Sequence, residues 1–306
     1  MCNINKALIV TPFFKPNIGG AETFAEDLAK ALAKKYNVHI CTVKLDKPIT
    51  FEGMDYRKAF YLIRRLSLPL LSMVRRYKYE RVFALGLMSI LLCSLFRIKF
   101  DAVIFNLFKK KSWRNYLLNR AGKIYVEGNT GKNNLLSIGI PESKIAVFHH
   151  WCDQSVFTWK ERTNKNLRVL FISRPIAIKG KHIVQECEHL TNGVEYEYVE
   201  NCEFKELPKH YQMADVVVIP SIYNDSFSRI CVEAASCGCA VIVSNRGSLP
   251  EQVEGFGKVI EPNAISLAYI LNKLALHKEG LEKLRLETLV YAKQHFTDKN
   301  ADCFLL

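Results

Sequence analysis

Short apolar runs alternate along this chain with longer segments in which apolar positions return every three or four residues. Residues 7–10 read as a buried strand. Residues 21–35 follow with Phe24, Leu28, Ala31 and Leu32 at helical spacing. The same rhythm predicts strands over residues 38–43, 81–85, 102–105, 123–126 and 145–148, and then over 168–172, 195–199, 216–219, 240–243 and 258–260, with helical patterns between them. Strands that alternate with helices imply parallel sheets joined by right-handed crossovers, hence a doubly wound α/β architecture. The polar stretch 158–166 (TWKERTNKN) reads as a linker, and no internal repeat or low-complexity segment interrupts the pattern.

Composition sharpens this picture. The 306 residues allow one large domain or two of roughly 150 residues each. With 49% hydrophobic and 24% charged residues, a disordered or collagen-like chain is excluded. The net charge of +13 is unevenly placed: residues 1–150 carry 25 Lys and Arg against 10 Asp and Glu, and residues 151–306 carry 18 against 20. The whole excess lies in the first half, which fits two domains with different electrostatic tasks better than one uniformly basic nucleic-acid binder. The apolar stretch around 85–96 includes Ser89 and Ser94. It falls short of the ~18–20 residues that cross a bilayer. The first eleven residues lack the cationic start and small-residue cleavage site of a secretory signal. Ten cysteines without a C-x-x-C pair read as reduced thiols of a cytosolic protein.

Ligands of open α/β sheets sit at the carboxyl ends of strands, so the loops that follow strands carry the candidate chemistry. After the first strand, Gly19-Gly20 opens a helix, where backbone amides can approach an anion; glycine also ends strands for local reasons. After residues 168–172 come Arg174 and Lys179, two cations that can converge on one diphosphate or stand solvated at the surface. After residues 216–219 come Pro220-Ser221, Asp225, Ser226-Phe227-Ser228 and Glu233. Glu233 sits on an otherwise apolar helical face, and a buried carboxylate needs a partner, either ligand hydroxyls or a structural donor. The loop 244–251 offers further amides.

In order along the chain these segments resemble the retaining glycosyltransferases of the "glycosyl transferases group 1" type, family 4-like. The resemblance is carried by Pro12…Gly19-Gly20-Ala21-Glu22, Arg174-x4-Lys179-Gly180, Pro220-Ser221, Asp225-x7-Glu233-Ala234 and Gly238-Cys239-Ala240-Val241-Ile242. Residues 144–157 (KIAVFHHWCDQSVF) look like the family's interdomain segment, and Tyr211-Gln212-Met213-Ala214-Asp215 like its Y-x-x-A-D. The resemblance implies a GT-B fold, two Rossmann-like doubly wound parallel-sheet domains facing a cleft. Residues 1–157 would form a basic acceptor domain and 158–295 a nucleotide-sugar donor domain, with 296–306 returning to the first. It implies that Arg174 and Lys179 hold the donor diphosphate, that Glu233 binds ribose hydroxyls, and that the amides of Phe227 and Ser228, beside Ser226, lie near the phosphates. The Gly19-Gly20 loop would close on the donor. No cofactor and no metal are required, because protein cations stabilise the leaving diphosphate.

The sequence departs from the family pattern at several points. The first acidic position is Asp225 where the family has Glu, and Ser226-Phe227-Ser228 replaces Gly-Phe-Gly. Asn106, after strand 102–105, stands where a catalytic-site His is expected. His149 and His150 fall in the interdomain segment and read as structural. Asp225, Arg174, Lys179 and Asn106 are therefore the catalytic candidates.

Residues 56–81 interleave eight Lys and Arg with Phe, Tyr and Leu, and Lys109-Lys110-Lys111 adds to the same half. Such a helix can lie on an anionic membrane, each cation contributing about 1 kcal/mol; it can also simply pack on the sheet. Basic-aromatic stretches also bind nucleic acid, but no recognised module pattern occurs. The expected activity is sugar transfer from a nucleotide-sugar, of the UDP or GDP kind, to a saccharide or lipid-linked acceptor in cell-envelope glycan synthesis. It would take place in the cytoplasm, peripherally on the inner face of the membrane. The alternatives are a nucleic-acid-modifying glycosyltransferase of the same fold and a catalytically weakened nucleotide-sugar-binding protein.

Overall fold

The structure, a computed structural model, describes residues 5–12, 14, 19–43, 56–105 and 113–306. It divides into two compact units, Met1–Phe148 with Ala301–Leu306, and His149–Asn300.

In the first unit, β1 (Lys6–Val10), β2 (Asn37–Cys41), β3 (Arg81–Leu85), β4 (Asp101–Ile104), β5 (Ile124–Glu127) and β6 (Ile145–Phe148) form one parallel sheet in the order β2-β1-β3-β4-β5-β6. The connecting helices are α1 (Gly20–Leu32), α2 (Tyr56–Arg76), α3 (Gly86–Leu95), α4 (Trp113–Leu118) and α5 (Gly128–Ser137). The basic helix expected over 56–81 ends at Arg76; Arg81 opens β3, where its guanidinium pairs with Asp101 Oδ2 at 2.8 Å. Alternate residues of the strands face opposite sides of the sheet. Val82, Ala84, Ala102 and Ile104 pack with Leu66 and Leu70 of α2. On the other side, Phe83, Tyr125 and Phe148 meet Phe304, which is fully buried and stacks on Tyr125 at 4.4 Å between ring centroids. Arg81 Nη1 also donates to the Leu306 carbonyl, and Lys35 Nζ to that of Leu305, so the last residues of the chain belong to this first core.

The second unit repeats the plan with five parallel strands. These are β7 (Leu167–Ser173), β8 (Val194–Glu200), β9 (Val216–Ile219), β10 (Ala240–Ser244) and β11 (Lys258–Ile260), in the order β11-β10-β9-β7-β8. Its helices are α6 (Lys181–Glu188), α7 (Leu207–Met213), α8 (Arg229–Ser236), α9 (Leu249–Gln252), α10 (Ala264–Leu276) and α11 (Lys278–His295). Val217, Ile219, Val241 and Val243 point into one core, and Val216, Val218, Ala240 and Ile242 into another. Burial on both faces explains why β9 and β10 read as unbroken apolar runs.

Residues 149–166 belong to this second unit. Cys152 and Phe157 enter its core. Arg162, inside the polar stretch 158–166, donates to the carbonyls of Tyr211 and Gln212 at the end of α7 and of Cys237 and Gly238 just after α8. One guanidinium thus satisfies the orphan carbonyls of two helix ends.

Candidate functional site

In the second sheet the chain leaves β7 toward β8 and then crosses back to β9 on the other side, so β7 and β9 flank a topological switch point. The loops that follow these two strands carry the candidate residues. The first runs from Ser173 through the exposed Arg174 into a single 3-10 turn, Ala177–Lys179, which Gly180 ends at φ +80°. A Cβ on Gly180 would lie 2.1 Å from the Pro220 carbonyl oxygen, so glycine is what lets the two loops touch. They are then stitched together. Ile222 N–H donates to the Ile178 carbonyl at 3.0 Å, Ser221 Oγ donates to the same carbonyl at 3.2 Å, and Ser244 Oγ donates to the Ser221 carbonyl.

This stitching places Lys179 Nζ against both carboxylate oxygens of Asp225, at 2.7 and 2.9 Å. The loop after β10 supports Asp225 from the other side. Ser248 N–H donates to the Asp225 carbonyl at 2.8 Å, and Gly247 N–H to Asn224 Oδ1 at 3.2 Å. Two amides of residues 245–248 therefore hold the neighbouring loop; the loop expected over 244–251 is shorter, because α9 begins at Leu249.

Glu233 is 4% exposed on α8. Tyr211 Oη donates to its Oε2 at 3.0 Å, and Arg229 Nε lies 3.4 Å from Oε1. Structural donors thus compensate its burial. Burial and the Glu233 charge push the Tyr211 hydroxyl well above its ordinary pKa, so it stays a donor and fixes the carboxylate's direction.

Ser226, Phe227 and Ser228 lead into α8. The Ser228 N–H donates to Gln252 Oε1 of α9 at 3.1 Å, and an amide engaged in this way is offered to a phosphate only when Gln252 turns aside. The Phe227 ring stacks on the buried His150, 3.9 Å between centroids. Burial, reinforced by the charges of Arg229 and His149, holds the His150 imidazole well below its usual pKa and therefore neutral. Tyr211, Gln252 and His150 were not among the expected site residues. Tyr211 lies in the quoted Y-x-x-A-D stretch, but nothing in that spacing marks its hydroxyl as the partner of Glu233.

In the first unit, Gly19 and Gly20 stand at the start of α1, on the β1 side of that sheet's own switch point between β1 and β3. A Cβ on Gly19 would lie 2.4 Å from Glu22 Oε2, and Thr23 Oγ1 donates to the Gly19 carbonyl at 2.9 Å. Asn106 and Lys109-Lys110-Lys111 lie outside the described residues. A separate cavity of about 670 Å³ opens near the amino ends of β7 and β9, where Asp215 and Arg285 line it. Both are committed to the protein. Asp215 Oδ2 accepts from Asn164 Nδ2 and Arg168 N–H, and Arg285 Nη1 lies 3.8 Å from Asp215 Oδ1.

Residues 18–156 match the family model described as Glycosyltransferase Family 4, and residues 161–294 the one described as Glycosyl transferases group 1. D-inositol 3-phosphate glycosyltransferase of Streptomyces bingchenggensis is 34% identical over 103 residues, 33% of this chain and 22% of that protein. O-antigen chain mannosyltransferase B of Escherichia coli is 42% identical over 72 residues, 23% of this chain and 19% of that protein. The alignments thus span less than a quarter of each relative's length. Among solved structures, sucrose-phosphate synthase from Thermosynechococcus elongatus superposes with a TM-score of 0.85 at 15% identity, covering 98% of this chain and 97% of that one. HepE of Anabaena in complex with UDP-glucose superposes with a TM-score of 0.77 at 16% identity, covering 97% of each. At such identities the likeness speaks for the fold alone. With its two halves matched in order by these two models and the GT-B fold shared from end to end, the chain belongs to the group 1 glycosyl transferases, with a first half of the family 4 type.

Proposed function

We propose that the protein transfers a sugar from a nucleotide-sugar to a saccharide or lipid-linked acceptor, with retention of anomeric configuration, in the synthesis of a cell-envelope glycan. The observation that carries this reading is the convergence of Lys179 and Asp225 at the β7/β9 switch point, with Glu233 one helix turn into α8. Arg174 and Lys179 would bind the diphosphate and stabilise it as it leaves, work that donors already in place on the bound diphosphate do without reorganisation at the moment of reaction. Glu233, oriented by Tyr211, would accept ribose hydroxyls, Asp225 would face the sugar, and the Phe227 amide would approach a phosphate. Gly19 and Gly20 would bind the donor, and Asn106, which lies outside the described residues, would take the place of a catalytic-site His. HepE, whose structure contains UDP-glucose, makes UDP-sugars the first donors to try.

The test is incubation with UDP-, GDP- and ADP-sugars in the presence of EDTA, read as release of nucleoside diphosphate, with the product anomer assigned by NMR. Slow hydrolysis or transfer of at least one donor is expected, undiminished by EDTA and with the configuration kept. Nucleotide binding without any turnover would leave a binding protein rather than an enzyme, and inversion would overturn the stereochemical assignment.

The first unit supports a second part of the proposal, contact with an anionic membrane. Leu66 and Leu70 of α2 are buried, while Arg65, Leu68, Arg75 and Arg76 are exposed, Leu68 by 73%. The side chains of Arg57, Lys58 and Arg64 lie outside the described residues. Among the described residues no helix is long and apolar enough to cross a membrane. Flotation with vesicles rich in phosphatidylglycerol should carry the protein at low salt and lose it at high salt. Failure to float, with salt-dependent retention on DNA, would favour a nucleic-acid partner.

A further inference from the structure

Lys179 and Asp225 are both assigned to the donor, yet here they satisfy each other. The ammonium sits between the two carboxylate oxygens, and the side chains are 24% and 13% exposed. Neither partner rests on a loose backbone. Lys179 closes a 3-10 turn whose exit, Gly180, is pressed against Pro220. Asp225 donates its N–H to the Tyr223 carbonyl at 2.8 Å and accepts from Ser248 N–H. A Cβ on Gly247, at φ +59°, would lie 2.0 Å from the Asp225 carbonyl oxygen. Rotation of the two side chains would separate the pair while leaving these backbone contacts in place.

Each ammonium has three N–H donors, and a diphosphate offers it several oxygens with more charge than one carboxylate. A diphosphate beside Lys179 also brings like charge toward Asp225, which disfavours leaving that carboxylate in place. We infer that Asp225 serves as a stand-in anion for Lys179 in the empty site, and that donor binding exchanges the partners. The diphosphate takes Lys179, and the released Asp225 carboxylate turns to accept hydroxyls of the sugar. This deepens the donor-site reading given above and rests on it. Sugar recognition then depends on phosphate having arrived first, which makes Asp225 a specificity-determining residue as well as a brake on binding of the bare nucleotide.

Asp225→Asn removes the competing charge and keeps the shape, and Asp225→Ser is a second charge-removing variant should the first lose stability by thermal melting. UDP, GDP and ADP are titrated calorimetrically into each. The nucleoside diphosphate that binds the unaltered protein should bind the neutral variants about threefold to tenfold more tightly, the scale of displacing one half-buried ion pair. Sugar transfer should fall in the same variants. In a Lys179→Ala background the gain should vanish, because the exchange acts through that ammonium, and Asp225→Glu should stay within about twofold of the unaltered protein. Unchanged or weaker binding by both neutral variants, or a gain that persists without Lys179, would overturn the exchange. If neither the unaltered protein nor any variant binds a nucleoside diphosphate, the donor assignment itself fails. If the unaltered protein binds one and charge removal brings no gain, the exchange alone fails.

Discussion

At the scale of the residue, Glu233 shows how a carboxylate is kept inside an apolar helix face. Its neighbours Val232 and Ala234 are buried, and the charge is met by Tyr211 Oη and Arg229 Nε. Removing one donor while leaving the carboxylate in place costs about 1–3 kcal/mol, since the remaining charge is then under-satisfied. Tyr211→Phe should therefore lower the thermal unfolding midpoint and weaken nucleotide binding several-fold, with the fold retained by circular dichroism. Unchanged binding alongside a lowered midpoint would restrict Tyr211 to a structural part. The thiols behave as packing. Burial pushes Cys41 and Cys93 up to about 12 and Cys239 up to about 11, which keeps them protonated at neutral pH.

At the scale of the element, much of the fold is legible in the hydrophobic pattern. The strand over 216–219 falls where the apolar run places it, because all four of its residues are buried in a sheet covered on both faces; the edge strand over 258–260 also falls where expected, although Lys258 and Val259 are exposed. Boundaries drift where local turns override the pattern. The helix expected over 21–35 stops at Leu32, since 33–35 form a turn, and the strand expected over 38–43 stops at Cys41. That Lys179 and Asp225 lie in loops after strand ends is also legible; their pairing with each other is not. What the sequence does not disclose are side-chain partnerships across distant elements. Arg162 satisfies carbonyls about 50 and 75 residues further on, in a stretch whose polarity reads as a linker. Gln252 reaches Ser228 from α9, in a stretch whose sequence reads as a loop, and His150 finds Phe227 across 77 positions. Such contacts depend on tertiary placement, which neither periodicity nor spacing encodes.

At the scale of the whole molecule, the chain makes two parallel-sheet units and sends its last residues back to the first, where Phe304 is buried and the Leu305 and Leu306 carbonyls accept from Lys35 and Arg81. The uneven charge follows this division. The second half is close to electrically neutral, with its proposed donor cations, Arg174 and Lys179, set at one strand end, while the first half carries the positive excess. The central claim is that the β7/β9 switch point of the second unit is a nucleotide-sugar site. Its most direct test is calorimetric titration of UDP, GDP and ADP into the unaltered protein, Lys179→Ala and Glu233→Ala. Loss of a charge-assisted contact should weaken binding about tenfold or more in each variant; affinities equal to that of the unaltered protein in both would contradict the placement of the nucleotide.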